Sequence, residues 1–223
     1  MTDSVPNRRL VGPGRPVPHA TYRLQLGPEF TFADAAKQVG YLAKLGVSHL
    51  YLSPILTAAP GSRHGYDVVD HTKISAVLGG RVGFDRLVAA AHEVGLGIIV
   101  DIVPNHMALP VPAWHNAPLW SLLAEGPDSP YASWFDINWS TAGGDILMPI
   151  LGDRIGAVLG SGELTVEEAD IPRFGPSTVL RYYDHVFPVR EGTADLPLVD
   201  LVDRQFYRLA HWRSGGSDIN YRR

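Results

Sequence analysis

Asp101 is the one charged residue inside an otherwise aliphatic run, Gly97 to Val103 (GIIVDIV). A carboxylate in that setting is costly unless it is paired or hydrogen-bonded. It reads as an acid that orders a site, the alternative being a strand-end carboxylate that collects backbone N–H bonds. Pro104, Asn105 and His106 follow, which puts an amide and an imidazole on the loop just past the run. A lone loop histidine reads equally as a packing or surface residue. The second polar group is HGYDVVDH, His64 to His71. Tyr66 offers a ring face and Asp67 a carboxylate that accepts hydroxyl protons, the two things a sugar needs; a glycine turn carrying a half-buried tyrosine is the bland alternative. His64, His71, His92, His106 and His115 raise the question of a metal. No pair has the HxxxH or HExxH spacing that places two ligands on one helix face, so a catalytic metal is not expected. Trp114, Trp120, Trp134 and Trp139 are either sugar platforms or the core of a small subdomain. With no cysteine, disulfides, thiolate zinc sites and a cysteine nucleophile are excluded.

The elements that must position these residues follow from periodicity. Ala20 to Leu26 (ATYRLQL) alternates and predicts a strand. Thr31 and Asp34 form a capping-box start, Phe32, Ala35, Val39, Leu42 and Leu45 continue at helical spacing, and Gly46 ends the helix. Val47 to Leu52 is a second strand, stopped by Ser53 and Pro54. After a long loop, Phe84, Leu87, Val88, Ala91 and Val94 mark a second helix closed by Gly95, and Gly97 to Val103 has the look of a strand buried on both faces. Strand, helix, strand, loop, helix, strand builds a parallel sheet. Beyond Pro104 the rhythm is lost: eleven of the 18 prolines and four of the five tryptophans fall between Pro104 and Pro197. Asp145 to Leu151 and Thr178 to Tyr183 are short strand candidates, a short helix is expected before Gly126, and Arg204 to Trp212 returns to helical spacing through Phe206, Leu209 and Ala210.

An open dinucleotide-binding sheet would carry a glycine-rich turn after its first strand, but Gly27 to Asp34 (GPEFTFAD) has one glycine, and no GxxxxGK[ST] loop occurs anywhere. The expected fold is therefore α/β, a partial (β/α)8 barrel with three of its βα units, carrying a loop-rich subdomain inserted after the third strand. Residues 1–19 are expected to be a disordered tail, 20–106 the first part of the barrel, 107–205 the insertion, and 206–223 a return helix leading to a fourth strand. Barrel chemistry sits where strands end. Those positions are Arg23 and Gln25, Ser53 and Pro54, and Asp101 to His106, joined by the His64 to His71 loop.

Composition narrows the classes further. The 223 residues carry 19 Lys plus Arg against 23 Asp plus Glu, a formal charge of −4, which argues against nucleic acid as a partner. Hydrophobic residues make up 45% of the chain, enough for a core. No window approaches the ~18 apolar residues of a membrane span. The first twenty residues lack the apolar stretch of a secretory signal. The expected location is the cytoplasm, with no membrane partner.

Asp101-Ile-Val-Pro-Asn-His106 resembles the first signature region of the α-amylase superfamily of glycoside hydrolases, and HGYD, His64 to Asp67, resembles the loop that carries the tyrosine beneath the −1 glucose. TYRLQL (Thr21 to Leu26), LGVSHLYLSPILTA (Leu45 to Ala58) and DRQFYRLAHWR (Asp203 to Arg213) narrow the likeness to the trehalose-forming branch, densely over 20–108 and again over 203–223. The resemblance implies that Tyr66 stacks on the −1 glucose, that His106 and Asp67 bond its hydroxyls, and that Asp101 holds the catalytic arginine-and-carboxylate network. His64 and Gln25 join the substrate-binding set, and Asn105 supports the active site. Asn105 stands where many amylases ligate calcium, an ion this branch does not usually depend on; no metal and no cofactor are expected.

A retaining glycosidase needs two carboxyl groups ~5–5.5 Å apart, a nucleophile and an acid/base. The superfamily supplies them after its fourth and fifth strands, and neither motif occurs in residues 1–223; Asp218 lacks the nucleophile's Arg-x-Asp setting. The chain thus reads as an N-terminal fragment, inactive alone, with both carboxylates expected beyond Arg223. The complete protein would be an isomerase. It would rearrange the reducing-end α-1,4 linkage of a maltooligosaccharide into an α,α-1,1 trehalosyl linkage, with the 107–205 segment as the wall that keeps water out. Another amylase-type glucan hydrolase or transglycosylase, or a non-catalytic glucan-binding fragment, are the alternatives.

Overall fold

The computed structural model describes residues 17–140 and 146–215. The chain divides into two compact units, the first running to Asp67 and resuming over His71–Val103, the second comprising Val68–Asp70 and the chain from Pro104 onward. Of the expectations above, residues 1–16 of the tail, Asp145 and residues 216–223 of the return helix lie outside the described residues.

In the first unit β1 (Thr21–Leu24) leads into α1 (Phe32–Leu45) and β2 (His49–Leu52). A short β3 (Leu56–Ala58) pairs with β4 (Val68–Ile74), and α2 (Gly80–Glu93) precedes β5 (Gly97–Val100). The sheet is parallel in the order β1-β2-β5, with Thr21 opposite His49 and His49 opposite Gly97. α1 starts where Asp34 accepts hydrogen bonds from both the backbone N–H and the hydroxyl of Thr31, and it stops at Gly46 in the left-handed region (φ 88°). Lys37 beside it, with those Thr31 bonds, holds the Asp34 carboxyl below the usual carboxylate range. Phe32, Ala35, Val39 and Leu42 line the buried face of α1, and with Leu24, Leu50, Leu52, Leu87 and Ala91 they form one core. Each such large side chain contributes roughly 1.5–3 kcal/mol on burial.

Two expectations need correction here. Gly97 to Val103 was expected to be a strand buried on both faces; β5 ends at Val100 and its four residues are only half-buried. Among the described residues it pairs on one side only, with β2, whereas β2 is flanked on both sides. The loop after β2 is also less irregular than its sequence suggests, since β3 and β4 lie within it.

The second unit contains α3 (Ala117–Glu125), β6 (Ile146–Leu151), α4 (Ile155–Ser161), β7 (Leu164–Ile171), β8 (Gly175–Tyr182), β9 (His185–Pro188), α5 (Leu198–Val202) and β10 (Tyr207–His211). Asn116 caps α3 by accepting from the Leu119 N–H and donating to the Ala108 carbonyl, and it is fully buried. β7, β8 and β9 form an antiparallel sheet whose inner face, with Trp120, Leu151, Phe187 and Tyr207, builds a second core. The stretch is therefore not as loop-rich as its prolines imply. β7 (LTVEEADI) hides its strand character behind charge, and Glu167 is held across the sheet by Arg181 at 2.7 Å.

The expected helix over Arg204 to Trp212 is a strand. β10 pairs in parallel with β6, and Tyr207 and Leu209 are buried on either side of exposed Arg208. Phe206, Leu209 and Ala210 suit a helical period, but the window is too short to separate it from alternation, and pairing with β6 decides. The stretch belongs to the second unit rather than returning to the first. Trp120 is core and Trp114 packs on it, while Trp134 is exposed. Among the described residues no helix is long and apolar enough to cross a membrane.

Candidate substrate-binding face

The parallel register sorts side chains by face. Arg23 lies opposite Tyr51, and Tyr51 opposite Ile99. Asp101 is two residues past Ile99 and so shares that face, because strand side chains alternate with period two. Leu24, Leu50 and Leu52 point the other way, into the core under the helices. One face of the sheet therefore gathers polar groups at the strands' C-terminal ends.

These groups form a connected network around one carboxylate oxygen. Asp101 Oδ2 accepts from the Tyr66 hydroxyl at 2.5 Å and from the Tyr51 hydroxyl at 3.2 Å. The Tyr66 oxygen in turn accepts from Arg23 Nη2 at 2.9 Å, while Arg23 Nη1 donates to Gln25 Oε1 at 2.8 Å. Arg23 also lies over the Tyr51 ring, 5.6 Å from its centroid. Donating to Asp101 raises the Tyr66 phenol above its usual range, an effect that Arg23 partly opposes. Donating to Tyr66 raises the Arg23 guanidinium, an effect that burial partly opposes. Asp101 is thus hydrogen-bonded through side chains, as its cost in an aliphatic run requires, and its own backbone N–H continues the ladder to the Leu52 carbonyl.

The turn that delivers Tyr66 is built by Ser62. Its hydroxyl donates to Asp67 Oδ1 and accepts the Gly65 N–H. Gly65 sits at φ 79°, and a Cβ there would come within 2.9 Å of the Pro54 carbonyl, so the turn needs glycine twice over. His64 Nδ1 lies 3.1 Å from the Tyr66 backbone nitrogen and 3.6 Å from Asp67 Oδ1, which places its ring beside the turn. His71, on β4, has its Nε2 2.8 Å from the carbonyl of Val103, three residues past the end of β5.

Of the expected site residues, Gln25, Tyr66 and Asp101 join one network, and His64 and Asp67 lie in the adjoining turn. Asn105 and His106 belong to the second unit, where the His106 ring and the Asn105 side-chain oxygen are 3.3 Å apart. Ser53, a strand-end candidate, is fully buried and accepts the Leu26 N–H at 2.8 Å, a structural use. Tyr51 and Ser62 escaped the sequence reading. Alternation could have found Tyr51, because it shares the face of Arg23 once the strands are parallel and in register. Among the described residues no three His, Asp or Glu side chains converge as a metal site.

A family model for the alpha-amylase catalytic domain matches residues 34–150, more than half of the chain. The chain belongs to the alpha-amylase family. Within it, the chain is 45% identical over 202 residues to a putative maltooligosyl trehalose synthase of Mycobacterium tuberculosis, covering 88% of this chain and 24% of that protein. Its structure resembles maltooligosyltrehalose synthase from Arthrobacter ramosus with a TM-score of 0.80 at 45% identity, over 92% of this chain and 26% of that one. A hypothetical maltooligosyl trehalose synthase of Sulfolobus tokodaii gives a TM-score of 0.71 at 38% identity, over 87% and 25% of the two chains. The chain spans about a quarter of the length of these relatives.

Proposed function

We propose that this alpha-amylase family chain forms the opening part of the catalytic barrel of a maltooligosyltrehalose synthase, with β1, β2 and β5 as its first three strands. The observation that carries the reading is likeness along nearly the whole chain, 45% identity and a TM-score of 0.80 over 92% of it, to a synthase of that name. The polar face at the strand ends supports it. Tyr66, its phenol anchored at both Arg23 and Asp101, presents its ring beneath a glucosyl unit. Asp67 has one oxygen engaged by Ser62 and offers the other to a sugar hydroxyl. By the family resemblance His106, His64 and Gln25 are assigned to substrate binding and Asn105 to active-site support.

The nucleophile and acid/base come from segments outside this chain. The nucleophilic carboxylate attacks the anomeric carbon of the penultimate glucose while the acid protonates the departing O4. The released glucose stays bound and returns its anomeric hydroxyl to the same carbon, giving its proton to the acid/base. No water is consumed, and two inversions give net retention. The same proposal places the protein in the cytoplasm.

Incubating the full-length polypeptide that carries this chain with maltopentaose tests the reading. Loss of reducing ends with no shortening of the glucan is the expected result. A rise in reducing ends would instead make it a hydrolase. Binding without turnover would make it a glucan-binding protein.

A further inference from the structure

Arg23 stands 4.0 Å from Asp101 Oδ2, beyond hydrogen-bond reach, yet its Nη2 donates to the Tyr66 hydroxyl at 2.9 Å. The phenol oxygen therefore accepts from β1 and donates to the residue that follows β5, so the free end of Tyr66 is gripped from two strands. The guanidinium is itself immobilised: Gln25 accepts from Nη1 while donating to the Leu26 carbonyl, and the Tyr51 ring lies beneath it with its hydroxyl on the same Asp101 oxygen. A tyrosine held through one hydrogen bond keeps freedom to swing about it. Two bonds to partners from different strands restrict that freedom before any ligand arrives, and ordering done in advance is not charged to binding.

We propose that Arg23 is a positioning residue for the sugar platform, acting through the phenol oxygen of Tyr66 to fix the ring plane for a glucosyl unit of an α-1,4-glucan. Tyr51 and Gln25 hold the guanidinium in place. The inference rests on reading Tyr66 as the platform. Arg23 is partly exposed, so replacing it removes the clamp without opening the core.

The test is a double-mutant cycle of Arg23→Gln and Tyr66→Phe in the full-length polypeptide, read as KM and kcat with maltopentaose and as maltopentaose affinity by titration calorimetry. Arg23→Gln alone should raise KM and Kd roughly tenfold with kcat within about twofold. In the Tyr66→Phe background, where the oxygen it acts on is gone, the same change should cost less than about twofold. Arg23→Lys, which retains one donor to Tyr66, should recover part of the loss. Equal effects of Arg23→Gln in both backgrounds would mean a merely structural role and overturn the proposal. An inactive wild type whose maltopentaose affinity still shows the coupling would sink the synthase reading and support the clamp. Mutase activity with an additive cycle would sink the clamp alone, and no affinity for maltopentaose would overturn it too.

Discussion

Gly97 opens β5 directly across from His49, and a Cβ built on it would lie 2.3 Å from both Cδ2 and Nε2 of that imidazole. Non-bonded carbons settle at about 3.5–4.0 Å, so in Gly97→Ala the ring has to move by more than ~1 Å. It has little room, since His49 is 7% exposed and its Nδ1 lies 3.0 Å from Ser48 Oγ. That hydroxyl also accepts the backbone N–H groups of His19 and Ala20, tying the chain before β1 to the start of β2. Overpacking costs about 1–3 kcal/mol and a lost neutral hydrogen bond about 0.5–1.5 kcal/mol. Alanine regains only ~0.4–1 kcal/mol by restricting the unfolded chain. Gly97→Ala should therefore destabilise by about 0.5–4 kcal/mol, measured as a lowered urea midpoint of the full-length polypeptide. In a His49→Ala background the same change should cost less than ~0.5 kcal/mol, because the obstructing ring is absent. Below the transition, turnover should remain within about twofold of wild type, since Gly97 lies at the end of the strands away from Asp101. A full cost in both backgrounds, or none in wild type, would refute the steric argument.

Two further outcomes follow from the network and the sheet. Asp101→Asn keeps an acceptor but removes its charge, and charge-assisted bonds are about twice as strong as neutral ones, so kcat/KM on maltopentaose should fall roughly 10- to 100-fold. In wild type the raised Tyr66 pKa means that the Tyr66–Asp101 bond stabilises the fold fully below pH ~10 and is lost as pH rises through the folded value. Asp101→Asn should bring that ionisation back toward its usual range. An alkaline absorbance titration, with Tyr66→Phe as the subtraction, checks this, and an unmoved titration refutes it. Finally, β1 and β5 are the outer strands of the parallel sheet in the first unit. The 223-residue polypeptide by itself should associate through those edges or behave as a molten state, and a sharp cooperative melt of a monomer would contradict this.

The sequence by itself determined the first unit closely. The Thr31–Asp34 start and Gly46 stop of α1, the strand at Leu50 and Leu52, and the second helix are all written in local periodicity and capping, which act over a few residues. It also marked Asp101 and the Tyr66–Asp67 turn, because a carboxylate among isoleucines and valines, or an aromatic beside an acid in a glycine turn, is chemically conspicuous wherever the chain goes. What only the tertiary structure decided depends on pairing across distance. Tyr51 became part of the network because β1 and β2 are in register, and the half-burial of β5 follows from its place at the sheet's outer flank. β10 is a strand rather than a helix because β6 supplies its hydrogen-bond partners, and β7 is a strand despite its acids because it pairs with β8 along its whole length. Local sequence sets what a segment prefers, whereas hydrogen bonds and charges satisfied by residues tens of positions away set which preference wins.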